Sequence, residues 1–151
     1  MTNESVAAAT PDVIEHETTA GRAHLGMVVL YVRDLQRSID FYRLLGLDVS
    51  DPDPRRPVAA AKEGDATRMI IATDPVARHL DAGWARPERG GYQQVVEYFV
   101  ESDAAVDAVW ERLTAAGHRG VTAPGHLVGP YSTMVEDPDG NVVMVTNPPA
   151  E

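Results

Sequence analysis

A chain of 151 residues with 44% hydrophobic content is long enough to bury the core of one domain. Its net charge of −10, with no Lys/Arg cluster, repels phosphate backbones and argues against nucleic acid as a partner. It has no cysteine, which removes disulfides, thiolate ligands and a Cys nucleophile. No apolar run reaches membrane-spanning length and no basic-then-apolar export signal opens the chain, so the expected location is the cytoplasm.

Residues 1–22 are rich in Thr, Ala and Glu and show no hydrophobic period, which predicts a mobile tail. A single domain is expected over 23–149, with a first module at about 23–82, a connector at 83–91 and a second module at about 92–147. The first strand is expected over Leu25–Val32. Asp34 is placed to cap a helix whose apolar stripe holds Leu35, Ile39 and Tyr42, and Gly46 stops it. A strand begins within Leu47–Ser50. Asp51–Pro57 carries three prolines and reads as a loop. Val58–Lys62 and Thr67–Ala72 should pair across Glu63-Gly64-Asp65. Asp74-Pro75 reads as a cap and first-turn proline of a short helix to about Ala82. The second module should open with a strand over Gln93–Val100, followed by a helix over Ala104–Ala116 with Val106, Val109, Trp110 and Leu113 on its buried stripe. Strands near Arg119–Thr122, Tyr131–Glu136 and Asn141–Thr146 complete it. The Gly- and Pro-rich segment Ala123–Pro130 is expected to arch over a cleft as a loop.

The chain says one thing twice. Met27-Val-Val-Leu-Tyr-Val-Arg-Asp-Leu leads into a helix ending Phe41-Tyr42-Arg43-Leu44-Leu45-Gly46, and Val95-Val-Glu-Tyr-Phe-Val-Glu-Ser-Asp leads into one ending Leu113-Thr114-Ala115-Ala116-Gly117. The period is about 70 residues, too long for a solenoid. It implies two copies of one supersecondary unit with a site at their seam. The second copy closes with Asp137-Pro138-Asp139-Gly140-Asn141 before an apolar strand. With Val-x-Asp-Leu and Phe-Tyr-x-x-Leu-Gly-Leu in the first copy, the chain resembles the vicinal oxygen chelate superfamily over roughly residues 24–147. That group includes glyoxalase I, extradiol dioxygenases, fosfomycin-resistance enzymes and bleomycin-resistance proteins. The resemblance implies an α+β fold of two βαβββ modules, forming a curved mixed sheet around one cleft.

In metal-dependent members, the resemblance implies ligands at three points. One is a His or Gln on each opening strand, seven residues before the Asp that starts the helix. Another is a Glu three residues after the Asn of Asp-Pro-Asp-Gly-Asn. Here those points hold Met27, Val95 and Met144. Thioether and alkyl groups do not replace imidazole and carboxylate. The expectation is therefore no metal ligand and no cofactor, unless a shifted register brings His24 or Gln94 into play. Strand alternation puts Met27, Val29 and Tyr31 on one face, Val95, Glu97 and Phe99 on another, and Met144 with Thr146. If these faces line the cleft, the pocket is apolar with one carboxylate, and the ligand-binding candidates are Met27, Val29, Tyr31, Val95, Phe99 and Met144; Met27 and Met144 also read as plugs of a collapsed core. Glu97 is the candidate general base or hydrogen-bond anchor, and also reads as a solvated strand residue or the partner of an arginine. His126, in the arching loop, is the candidate to orient or protonate a ligand, and also reads as a solvent-facing loop histidine. Trp84 and Tyr131 are candidates to stack on the ligand, though Trp84 suits packing at the seam equally. Asp137 and Asp139 read as turn residues.

Three functions remain at this point: a metal-free protein that sequesters a small apolar or aromatic molecule, as in the bleomycin-resistance branch; a cofactor-independent enzyme using Glu97 and His126; and a metal-dependent lyase or dioxygenase, disfavoured by the missing ligands. A small-molecule ligand, no membrane and a homodimer are expected, since open sheet edges favour pairing.

Overall fold

The computed structural model describes residues 21, 23–88, 90–126 and 129–150. The tail expected over 1–22 falls, apart from residue 21, outside them. The first module runs β1 (Val28–Val32), α1 (Leu35–Leu45), β2 (Asp48–Val49), β3 (Val58–Glu63), β4 (Ala66–Thr73) and α2 (Asp74–Leu80). The second runs β5 (Val96–Phe99), α3 (Asp103–Ala115), β6 (Gly120–His126), β7 (Tyr131–Glu136) and β8 (Val142–Thr146). Each module is a βαβββ unit, and the two sheets repeat one order: β1-β4-β3-β2 and β5-β8-β7-β6. In each, the opening strand pairs parallel with the last, while the remaining pairs are antiparallel.

Local chemistry explains the helices. The Asp34 carboxylate accepts from the Arg37 backbone N–H at 3.0 Å, satisfying a first-turn donor of α1. Gly46 ends α1 at φ +115°, a conformation that an L side chain resists. Ser102 caps α3 through the Ala105 N–H. Asp74 is not the cap of α2 but its first residue. The cap position is Thr73, whose side chain makes no capping bond, and Asp74 is drawn instead to Arg86.

One face of each sheet is buried under its helix. Leu30 and Val32 of β1, Met69 and Ile71 of β4, Val135 of β7, and Val143 and Val145 of β8 form a single core with Ile39, Phe41 and Leu45 of α1 and Val109 and Leu113 of α3. Hydrophobic burial therefore holds the modules together as well as each within itself. Trp110 of α3 is half-buried and lies over Gly120 at the start of β6, where a Cβ would collide with its ring.

Two strands begin later than the sequence suggests, at Val28 and Val96, since Leu25 and Gln94 have no ladder partners to hold them. The larger departure is β6. The segment expected to arch as a loop continues the strand to His126, paired with Tyr131. Pro124 fits because β6 is an edge strand, and two register shifts, at 120–122 and 122–125, absorb the missing donor.

Candidate functional site

The faces turned away from the helices carry the candidate site. On the first sheet, Val29 lies beside Ile70, which lies beside Ala60; Tyr31 lies beside Ala72, which lies beside Val58. On the second, Glu97 is directly opposite Met144, which is opposite Met134, and Phe99 is opposite Thr146. The Thr146 hydroxyl donates to Glu97 Oε1 at 2.6 Å. Met27, Val29, Val95 and Phe99 are 47%, 44%, 37% and 69% exposed. Four apolar side chains of this size, open on the surface of one chain, are what a ligand or partner would cover. Glu97 is exposed as well, so its carboxylate stands in solvent and not in a dry cleft.

His126 and Tyr131 are not on this face. The Tyr131 hydroxyl donates to Asp107 of α3 at 2.8 Å, which fixes the ring on the helix side of the sheet and raises the phenol's pKa. His126, its cross-strand partner, lies edge-on against that ring at 5.4 Å, and its Nδ1 is 3.1 Å from the Gly129 carbonyl. The sheet order puts β8 and β7 between β5 and β6, a separation of about 14 Å at the usual strand spacing. Glu97 and His126 are therefore not an acid/base pair on one ligand. The sequence places His126 in a loop arching over the cleft; β6 instead runs through His126 and pairs it with Tyr131, away from this face.

Trp84 packs onto Tyr31, edge-on at 5.5 Å, with the guanidinium groups of Arg78 and Arg86 at 5.8 and 5.5 Å from its ring. Arg86 also bonds Asp74 and reaches the Tyr31 carbonyl at 3.3 Å. The hydrogen bond from Arg86 holds the Asp74 carboxyl below the usual carboxylate range. This set docks the connector onto the first module.

Two clefts lie between the modules, each lined by β1 on one side and β5 on the other. One, of about 870 Å³, takes in Tyr31, Trp84, Arg86 and the turn at Asp137–Asn141. The other, of about 920 Å³, takes in Val28, Met69, Glu97, Tyr98 and Phe99.

Asp137 and Asp139 do more than form a turn. Asp137 accepts from the Asp139 and Asn141 backbone N–H groups and from the Asn141 amide, each at 2.9 Å, and from the Tyr42 hydroxyl at 2.8 Å. Burial nevertheless pushes its pKa up, and burial beside it pushes the Tyr42 phenol far up. Asp139 accepts from the Arg33 N–H at 3.0 Å and lies 3.6 Å from Arg86. The turn thus grips the first module at Tyr42, Arg33 and Arg86. A tyrosine on the buried stripe of α1 was the sequence signal, since a buried phenol needs a partner.

The metal-ligand positions implied by the family resemblance hold Met27, Val95 and Met144, which supply no imidazole or carboxylate. His24 and Gln94 are exposed and precede β1 and β5. Among the described residues no group of three or more His, Asp or Glu is arranged to hold a metal ion. The donor set does not fit a family-type centre.

The repeated βαβββ topology and the seam between its copies define a class, and the sequence comparison agrees with it. Residues 24–145 match the model of the glyoxalase/bleomycin resistance protein/dioxygenase superfamily, and the chain belongs to that family. Solved structures similar to it include a glyoxalase/bleomycin resistance protein/dioxygenase family enzyme from Burkholderia phytofirmans, 22% identical over 83% of this chain and 98% of that one, with a TM-score of 0.70. A glyoxalase-related enzyme from Fulvimarina pelagi is 22% identical over 83% and 88%, with a TM-score of 0.70. A lactoylglutathione lyase from Agrobacterium tumefaciens is 24% identical over 84% and 95%, with a TM-score of 0.59. Identities this low carry the fold alone. No curated protein sequence matches. No helix among the described residues is long and apolar enough to cross a membrane.

Proposed function

We propose that this chain is a metal-independent member of its family. It binds a small, largely apolar or aromatic, natural-product-like molecule on the open sheet face, in the manner of drug-sequestering bleomycin-resistance proteins. It acts in the cytoplasm as a homodimer. The observation that carries the reading is the conjunction of exposed Met27, Val29, Val95 and Phe99 with the lack of imidazole or carboxylate at Met27, Val95 and Met144. An apolar surface with few polar anchors suits binding of this kind, and methionine adapts to irregular or planar ligands. The dimer is supported by the same exposed face and by the open strand edges of both sheets.

Elemental analysis after dialysis against chelator tests the metal part. We expect no stoichiometric divalent ion; one Zn, Fe, Ni or Mn per chain would overturn it. Mass spectrometry of small molecules released from the purified protein tests the ligand part.

A cofactor-independent isomerase, cyclase or oxygenase on the same face is the second reading. Its support is the Glu97 carboxylate, held by Thr146 beside Met144. It gains nothing from His126, which is turned toward α3 with Tyr131.

A further inference from the structure

Sulfur in this chain is confined to methionine, since it has no cysteine. Of the five methionines, Met1 lies outside the described residues. Met69 belongs to the core and is 4% exposed. The other three stand with the faces turned away from the helices. Met27, one residue before β1, is 47% exposed. Met134 and Met144 are half-buried cross-strand neighbours, and Glu97 is next in the same row. The internal repeat shows that the fold does not need sulfur there. The matching row of the first module is Val29, Ile70 and Ala60. Aliphatic side chains fill in one module the positions that methionine fills in the other.

Resting on the ligand-binding reading above, we infer that Met27, Met134 and Met144 form a modification site for hydrogen peroxide, whose oxidation weakens the hold of this face on its apolar ligand. The thioether sulfur attacks one oxygen of the peroxide. An S–O bond forms as the O–O bond breaks. The proton on the attacked oxygen passes to the departing one, which leaves as water. Sulfur is oxidised by two electrons to the sulfoxide and the peroxide is reduced by two. A flexible apolar group has then become a polar one. An apolar ligand covering it would strip water from the sulfoxide oxygen without replacing it, which is costly. No thiol in the chain competes for the oxidant. Met69, closed off by the core, supplies an internal reference.

The test treats the full chain with hydrogen peroxide and follows each methionine by peptide mass spectrometry. N-phenyl-1-naphthylamine, a neutral aromatic fluorophore, is the probe for the face. We expect sulfoxide to form at Met27, Met134 and Met144 about tenfold faster than at Met69, or more, as their exposure dictates. The oxidised chain should keep its far-ultraviolet circular dichroism and bind the probe about tenfold more weakly. A variant carrying Met27→Leu, Met134→Leu and Met144→Leu should bind the probe equally well before and after peroxide, whatever its starting affinity. Oxidation of Met69 at the rate of the other three, an unchanged affinity once the three sulfoxides have formed, loss of the folded signal on oxidation, or an equal drop in the leucine variant would overturn the inference while leaving ligand binding intact. A probe that fails to bind the untreated chain would overturn the ligand-binding reading and the inference with it.

Discussion

The Tyr42 hydroxyl, on α1 of the first module, donates at 2.8 Å to Asp137, in the last turn of the second, across 95 positions of sequence. Tyr42 is 1% exposed and Asp137 4%, so neither group has water as an alternative partner. Removing the hydroxyl leaves a buried carboxylate with one bond fewer. Tyr42→Phe is expected to destabilise the fold by about 1–3 kcal/mol. Urea denaturation followed by circular dichroism checks this. An unchanged midpoint would mean that the bond does not help to hold the modules together.

The contact between Trp110 and Gly120 is a second point of leverage. The six-membered ring of Trp110 occupies the space where a Cβ on Gly120 would stand. Gly120 does not need a positive φ, so the requirement is spatial and not conformational. Gly120→Ala should cost about 1–3 kcal/mol through overpacking. The compensating pair Gly120→Ala with Trp110→Leu should recover part of that loss. If Gly120→Ala proves neutral in thermal unfolding, the ring has room to move that the packing does not suggest.

His118 gives the fold a pH dependence whose sign follows from its surroundings. Burial, and then the Arg37 charge, lower its pKa below the usual 6.5, while Asp137 opposes them. The imidazole is held edge-on against Phe41 at 4.8 Å. A group whose folded pKa is depressed binds fewer protons folded than unfolded. Its contribution is therefore present above pH 6.5 and is lost as the pH falls through the folded pKa. Asp137 acts in the opposite sense, because burial raises its pKa and acidification relieves the charge. Comparing wild type with His118→Gln cancels the Asp137 contribution. The wild type should lose more of its unfolding midpoint between pH 7.5 and 5.5 than the variant does; parallel curves would refute the assignment.

Much of this fold is legible in the sequence because its determinants are local. Asp34 and Ser102 cap helices a few residues away, Gly46 supplies a left-handed stop, and Glu63-Gly64-Asp65 turns a hairpin. The alternation that puts Glu97 beside Met144 is local on each strand and becomes a contact only because β5 and β8 pair parallel. What was not legible depends on distant partners. Tyr131 points to the helix side because Asp107 receives its hydroxyl, and His126 follows it. Pro124 reads as a loop residue until β6 is known to be an edge strand. Asp137 and Asp139 form a good turn by themselves, so nothing nearby in the chain announces that Tyr42, Arg33 and Arg86 hold the same turn.

Asp139 allows that last relationship to be tested apart from the hydrophobic core. Its side chain is 4% exposed and its Oδ1 meets the Arg33 backbone N–H, the Arg33 guanidinium at 3.3 Å and Arg86 at 3.6 Å. Both cations belong to the first module or to the connector docked on it. Asp139→Asn keeps the shape and one acceptor oxygen but removes the charge shared by two guanidinium groups. Removing one member of a pair leaves the other uncompensated: Arg33, 45% exposed, would lose its only carboxylate partner among the described residues, while Arg86, largely buried, would keep Asp74 alone. The turn should still close, because Asp137 and not Asp139 accepts its backbone donors. The expected result is a lowered unfolding midpoint, with faster hydrogen exchange concentrated in residues 84–88 and 137–141, while the β3–β4 hairpin keeps its protection. Uniformly faster exchange would mean that Asp139 serves the fold as a whole. No change in exchange at residues 84–88 would mean that Arg86 is held by Asp74 alone.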